Sequence, residues 1–252
     1  MRGNLDRRAV DTEQRLAARE RPDGSPVMYQ SWGDLLFMHW QVPADALRRL
    51  IPARLEIDTF DGDAWVGVTP FTLWGVRPVF TPPLPFVSEF HEINVRTYVH
   101  LGGVPGVWFF SLDANSAVAV AAARALFRLP YFAAEISREH GGDTTVFMSR
   151  REGESAPAAY FGATWKTADE LPEAEPGSLD FFLVERYCLY TADGGKVYRA
   201  RIHHRPWPLR EVRVETYRSG MVEAAGLGTP AGEPLVHHGG PVDVEVWPLE
   251  EV

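Results

Sequence analysis

Lysine is almost missing from this chain of 252 residues: Lys166 and Lys196 stand against 23 arginines. Chemistry that needs a primary amine on a side chain therefore has two candidates. Cysteine is scarcer still. Cys188 alone excludes an internal disulfide framework and a multi-cysteine zinc cluster, and a reducing compartment is the simplest setting. No apolar run comes near the roughly 20 residues that a membrane-spanning helix requires. Positive charge is not in excess either. The net charge is −9, without the basic footprint of a binder of nucleic acid or of an anionic membrane. The first residues hold arginines but no apolar core of a secretory signal, and Asp6, Asp11, Glu13 and Glu20 argue against an organellar transit peptide. A cytoplasmic location is expected. H-E-x-x-H, G-x-S-x-G and a glycine-rich phosphate loop opening a helix are all missing. No metal and no cofactor is therefore expected, and no serine nucleophile is marked.

What is present reads as a globular chain, 45% hydrophobic and 12% aromatic, long enough for a large core. Residues 1–27 look like a charged, partly flexible arm with a helical turn or two before Arg21-Pro22-Asp23-Gly24. A single domain is expected over 28–252. Strands are predicted over 35–42, 92–101, 107–112, 131–138, 144–151, 159–166, 210–217 and 241–247. A short helix is predicted over 43–51. Asp61-Gly62 predicts a hairpin joining 55–60 to 64–71, and Asp193-Gly194-Gly195 one joining 187–191 to 196–203. The proline-rich stretch 77–85 reads as an irregular connection. Ser178 can cap a helical turn over 178–184, and 221–240 reads as a loop with a helical turn. The main helix is predicted over 115–128, capped by Asn115 or Ser116, with an apolar stripe of Val118, Ala122, Ala125 and Leu126 lying close on a sheet. The pattern is α+β: a mostly antiparallel cone or barrel with one main helix packed on the sheet.

Three constellations could carry chemistry. On the strand 92–101, Glu92, Asn94, Arg96 and Tyr98 share one face because side chains alternate. Pointing inward, they give a carboxylate for acid–base work and a planar guanidinium fork suited to another carboxylate. Pointing outward, they are an ordinary solvated strand face. His203-His204, before Arg205-Pro206-Trp207-Pro208, cannot share one metal, since neighbours on a strand face opposite ways; one could face a cavity, or both could be structural. Glu185-Arg186-Tyr187-Cys188 is a local ion pair with Arg186 reaching into a cavity, or simple packing. His39 beside Trp40 reads as a core histidine, and His237-His238 as loop or surface. Nothing beside Cys188 would activate it as a nucleophile.

Several of these stretches together resemble the YqjF-like family of uncharacterised proteins: Met38-His39-Trp40, Phe60-Asp61-Gly62-Asp63-Ala64-Trp65, Glu92 to Val99 and Phe110-Ser111-Leu112-Asp113-Ala114. Ala123-Arg124 through Leu129-Pro130-Tyr131, Glu185-Arg186-Tyr187 and His203 to Leu209 match too, so the resemblance spans roughly 28–215. More distantly the chain is similar to the acetoacetate decarboxylase superfamily, which implies a β cone or barrel with a central cavity. Those enzymes carry a Schiff-base lysine in Gly-Arg-Glu-x-x-Gly-x-Pro-Lys-Lys. Here the arginine and proline correspond to Arg124 and Pro130, but Tyr131 and Phe132 replace the lysines. Decarboxylation through an imine is not expected, because a phenol cannot form one.

The resemblance implies a cavity that binds a small organic acid or carbonyl compound. Arg96 would anchor the acid among Asn94, Arg186, His203 and His204, with Glu92 and Tyr131 as the groups for non-covalent proton transfer. The alternative is an interaction or scaffold protein with a vestigial cavity. A homodimer is permitted and not required.

Overall fold

The computed structural model describes residues 9–83, 88–153 and 156–252. Local signals set the elements. Asp11 and Gln14 cap α1 (Thr12–Arg19) reciprocally. Strand β1 (Met28–Gly33) breaks at Asp34, whose φ is 53°, and β2 (Leu35–Val42) follows. Helix α2 (Ala44–Arg48) and the short β3 (Glu56–Ile57) precede Asp61-Gly62. That turn, with φ of 51° and 90°, opens the 15-residue β4 (Ala64–Pro78). Gly102-Gly103 turns β5 (Phe90–Leu101) into β6 (Val104–Ala114). Ser116 caps α3 (Ala117–Phe127), which ends at Arg128 in the left-handed region. A meander follows: β7 (Tyr131–Gly141), β8 (Thr144–Arg151) and β9 (Tyr160–Glu170). Ser178 caps α4 (Leu179–Val184), and β10 (Cys188–Asp193) turns into β11 (Lys196–His203). The chain closes with β12 (Leu209–Ser219), α5 (Met221–Ala224), β13 (Leu235–Gly239), β14 (Val242–Val246) and β15 (Glu250–Glu251).

Among the described residues all fifteen strands join one sheet. Pairing is mostly antiparallel, with β6 parallel to both β7 and β10. The pairings close two circuits. One runs β4, β5, β6, β10, β11, β14, β1 and back to β4. The other runs β4, β5, β6, β7, β8, β9, β12, β13, β2 and back. The result is a ring of strands rather than a clean barrel, and β4, β5 and β6 form a wall common to both circuits.

That wall separates two interiors. On one side Val66, Val68, Ile93 and Val95 pack with Phe147, Phe161 and Trp165. On the other, Phe71, Leu73, Phe90 and Tyr98 join Phe182, Trp207 and Val244. Period-two alternation divides the residues, so β2 gives Leu35 and Phe37 to one core and Leu36 and Met38 to the other. A bulge in β6 opposite Val95–Arg96 leaves Phe110 as the extra residue. It shifts the inward set from Val107 and Phe109 to Leu112.

The structure differs from several sequence expectations. The segment 55–60 does not pair with β4; β3 pairs with β5, at His100 and Val99, and only Phe60 and Asp63 bridge across the Asp61-Gly62 turn. Strands β1 and β13 were not expected. β13 draws His237 and His238 out of the supposed loop and buries both against β2. The irregular stretch 77–85 begins only after β4 ends at Pro78, and its residues 84–85 lie outside the described residues. Helix α3 forms where predicted and packs against β6 and β7, but through Ala119, Val120 and Phe127 rather than the predicted stripe. Val120 is its one buried residue, while Val118 and Leu126 are 61% and 63% exposed. What α3 covers is a hollow. Helix α1 is held to the body by Arg15, which forks onto Asp58 at 2.7 Å through each nitrogen.

Candidate functional site

The hollow beneath α3 is a cavity of about 170 Å³ lined from β1, β4, β5, β6, α3, β7 and the segments around β10 and β11. Its lining is mainly apolar, with Trp32, Phe71, Phe90, Phe109, Phe127 and Trp207 as the large walls. Against this stand Gln30, Thr69, Glu92, Asn94, Arg96, Tyr131, Arg186 and His204. Six of the seven site residues predicted from sequence thus line one space. His203 does not. It faces an outer groove, with its Nδ1 3.6 Å from Glu245. His204, the first residue after β11, lines the cavity and also the edge of that groove.

Glu92, Asn94 and Arg96 reach the cavity because β5 alternates: Ile93 and Val95 fill the other core. Glu92 is 2% exposed. Burial pushes its carboxyl up to about 7, although the Tyr131 hydroxyl donates to Oε2 at 2.7 Å and Asn94 approaches Oε1. The group is therefore poised to gain or lose a proton near neutrality. Burial and the neighbouring Glu92 charge raise the Tyr131 phenol well above its usual range, so it stays a neutral donor.

Arg96 lines the cavity and forms no ion pair among the described residues. Its Nε and one terminal nitrogen are buried without a hydrogen-bond partner in the protein, and its guanidinium lies 5.1 Å from the Phe37 ring. Buried donors of this kind are costly unless something accepts from them. Asn94 Oδ1 and Thr69 Oγ1 are likewise buried and unpaired.

Arg186 is held more firmly. Nη1 donates to Asp58 at 2.8 Å and Nε to the Phe182 carbonyl at 2.9 Å, while Nη2 is unpaired. The guanidinium sits 4.3 Å from the Phe182 ring centre and 4.6 Å from that of Tyr98. Burial lowers Arg186 to about 10, against the pull of Asp58, so it remains a cation at neutral pH. Burial acts to raise the Asp58 carboxyl, but Arg186 and Arg15 together outweigh it and hold it below its usual range. Glu185 is not the partner of Arg186; it accepts from the Tyr187 hydroxyl and from the Trp207 amide.

His204 is stacked 4.6 Å from Tyr187, and its Nδ1 donates to the Arg205 carbonyl at 2.6 Å. Burial lowers it to about 4, so it is a neutral ring at pH 7. Cys188 also lines the cavity, but burial pushes its thiol up to about 12 and leaves it unreactive. Neither lysine is near: Lys166 pairs with Glu215 and Lys196 with Glu251, both half-exposed on the outside. No metal-binding group of three or more ligands occurs among the described residues. No described helix is long and apolar enough to cross a membrane.

Sequence reasoning missed Thr69 and Asp58. Thr69 had a signal, since Thr69, Phe71 and Leu73 alternate along β4. Asp58 had none, as it meets Arg186 from 128 residues away.

With the geometry in hand, comparison with known proteins places the chain. A family model described as an uncharacterized conserved protein, DUF2071, matches residues 29–243. The uncharacterized protein YqjF of Bacillus subtilis (strain 168) is 41% identical over 230 residues, covering 91% of this chain and 94% of that one. Among solved structures, the enduracididine biosynthesis enzyme MppR complexed with pyruvate superposes with a TM-score of 0.60 at 13% identity, over 92% of this chain and 93% of that one. An acetoacetate decarboxylase structure gives 0.61 at 15% identity, over 93% and 91%. An acetoacetate decarboxylase-like enzyme from Sphingomonas wittichii RW1 gives 0.62 at 13% identity, over 91% and 94%. At these identities the likeness is one of fold.

Proposed function

This chain belongs to the DUF2071 family of uncharacterized conserved proteins, and we propose that it binds a small organic acid in the cavity under α3, with Arg96 as the anchor. The observation that carries the reading is the pair of buried, unpartnered Arg96 nitrogens lining that cavity. A bound carboxylate supplies the acceptors that the protein does not, in the planar fork geometry that arginine favours. Arg186 Nη2, Asn94 and Tyr131 complete the polar side, and neutral His204 closes it. A neighbour of the same fold is a complex with pyruvate, which supports a carbonyl acid as one member of the class.

In this reading Glu92 is the proton-transfer group. As a carboxylate it takes a proton from the carbon beside a ligand carbonyl, and the negative charge that develops on oxygen is met by Tyr131 and Asn94, the donors beside Glu92, while Arg96 keeps the carboxylate. No covalent amine is involved, because both lysines lie outside. Simple binding without turnover uses the same residues and differs only in leaving the ligand unchanged.

A thermal-shift screen with small carboxylic and keto acids tests this. A ligand at 100 times its Kd adds about 2.7 kcal/mol of stability, and Arg96→Ala is expected to abolish that gain. An acid that stabilises the Arg96→Ala protein equally well removes the anchor. Proton exchange at the carbon beside the carbonyl, followed in deuterated water and lost in Glu92→Gln, separates catalysis from binding. The second reading, an interaction protein such as a homodimer with a vestigial cavity, draws on the exposed Val118 and Leu126 of α3. Sedimentation showing a monomer would count against it.

A further inference from the structure

An acid held by Arg96 must still place the rest of its skeleton. Glu92 and Arg96 are four residues apart on β5, about 13 Å between Cα atoms at strand spacing. A two- or three-carbon acid on Arg96 leaves most of that span empty. Apart from the polar residues already named and Gln30, whose amide is engaged by Met28 and Trp32, the lining is apolar: Phe71 and Phe109 flank Glu92 and Arg96 on the neighbouring strands, and Trp32, Phe127 and Trp207 complete it. The volume of about 170 Å³ is comparable with the ~150 Å³ apolar cavity that holds a benzene ring. The direction is set as well. Ala114 of β6 pairs with Glu92, and α3 starts three residues later, so the helix lies toward the Glu92 end. There Ala122 and Leu126 line the cavity yet are exposed, which makes that edge of α3 its mouth.

We propose that the site takes an elongated monocarboxylic acid of about six to eight carbons, aliphatic or aryl-alkyl, with its carboxylate on Arg96 and its apolar end emerging beneath α3 beside Ala122 and Leu126. The inference rests on Arg96 as the anchor and adds the class and orientation of the ligand. The chain passes the Glu92–Tyr131 pair on its way out, so a carbonyl in mid-chain meets the proton-transfer group while the acid stays fixed. Ala122 and Leu126 of the α3 stripe then have a use at the mouth.

Titration calorimetry of the full chain with propanoate, butanoate, hexanoate, octanoate and 3-phenylpropanoate tests it. Each added methylene is expected to tighten binding about fourfold until six to eight carbons. Ala122→Trp, at the exposed edge of the mouth, is expected to flatten the series beyond four carbons. Propanoate and octanoate binding within twofold of each other would overturn the elongated class and leave the anchor standing. A series that still climbs in Ala122→Trp would overturn the exit beneath α3. Hexylamine binding as well as hexanoate, or no acid binding at all, would remove the anchor itself and this inference with it.

Discussion

Strand β5 borders two interiors, and they are built on opposite terms. On one side Ile93 and Val95 meet Phe147, Phe161 and Trp165 in an apolar core, where Trp165 Nε1 is buried without a partner. On the other, one residue away in sequence, Glu92, Asn94 and Arg96 face a hollow with donors and acceptors that the protein leaves unpaired. Close packing gives the first side its stability, since each buried side chain there is touched on all sides. The second side gives up part of that and holds polar groups ready instead. A strand whose two faces differ this sharply separates stability from recognition, and substitutions on either face should separate them too.

The packed side should show the largest effect. Trp165 is fully buried, and Trp165→Ala is expected to lower unfolding stability by about 4 kcal/mol in urea. The Kd for any cavity ligand should stay within twofold, because Trp165 lies behind the wall. A large loss of affinity in this variant would mean that the two interiors are coupled.

Next comes Glu92. Its folded carboxyl titrates near 7 against 4.5 in the ordinary state, so between those values the unfolded chain releases a proton that the folded chain keeps. The contribution of this group to stability is complete below about 4.5 and declines as pH rises to about 7. The loss amounts to ~3 kcal/mol, and nothing more is lost above that. Glu92→Gln keeps the volume and an acceptor for Tyr131. Its stability relative to the parent is therefore expected to rise by about 3 kcal/mol between pH 4.5 and 7.5, measured by urea melts at both values. A difference that does not change with pH would mean that Glu92 ionises normally. An acid held on Arg96 adds negative charge to the shared cavity and lays its apolar chain past Glu92; both favour the protonated form of Glu92, so acid binding should take up a proton near pH 7 and weaken above it.

Much of this was legible in the sequence, for definite reasons. Glu92-Ile93-Asn94-Val95-Arg96 alternates so cleanly that a shared face follows from strand geometry alone. The turn residues Asp193-Gly194-Gly195 marked a hairpin that the structure contains. Which way a face points was harder to read. α3 has the composition of a helix laid on a sheet, and nothing local says that a hollow lies beneath it. β1 and β13 were missed because Tyr29-Gln30-Ser31 and the glycines around His237-His238 carry weak strand signals. Long-range partners were beyond reach: Asp58 meets Arg186, and the sequence neighbour Glu185 offered a nearer and incorrect partner. His203 ends β11 and His204 follows it, so strand alternation alone could not say which of them enters the cavity.

The mildest contrast separates two helices capped alike. Ser116 Oγ accepts from the Ala119 amide at 3.3 Å in α3, and Ser178 Oγ accepts from the Phe181 amide at 3.1 Å in α4. Removing either hydroxyl costs about 1 kcal/mol of local helix stability. The helices differ in what holds them. α4 buries Phe181, Phe182, Leu183 and Val184, so it cannot open without the core, and Ser178→Ala should lower global stability by the full amount. α3 buries only Val120. It can open while the sheet stays folded, so Ser116→Ala should leave the urea midpoint nearly unchanged and speed amide exchange across 117–127 about fivefold. If the apolar end of the acid lies beneath α3 as proposed, a bound acid should slow that exchange again in Ser116→Ala. Exchange indifferent to ligand would mean that α3 takes no part in binding.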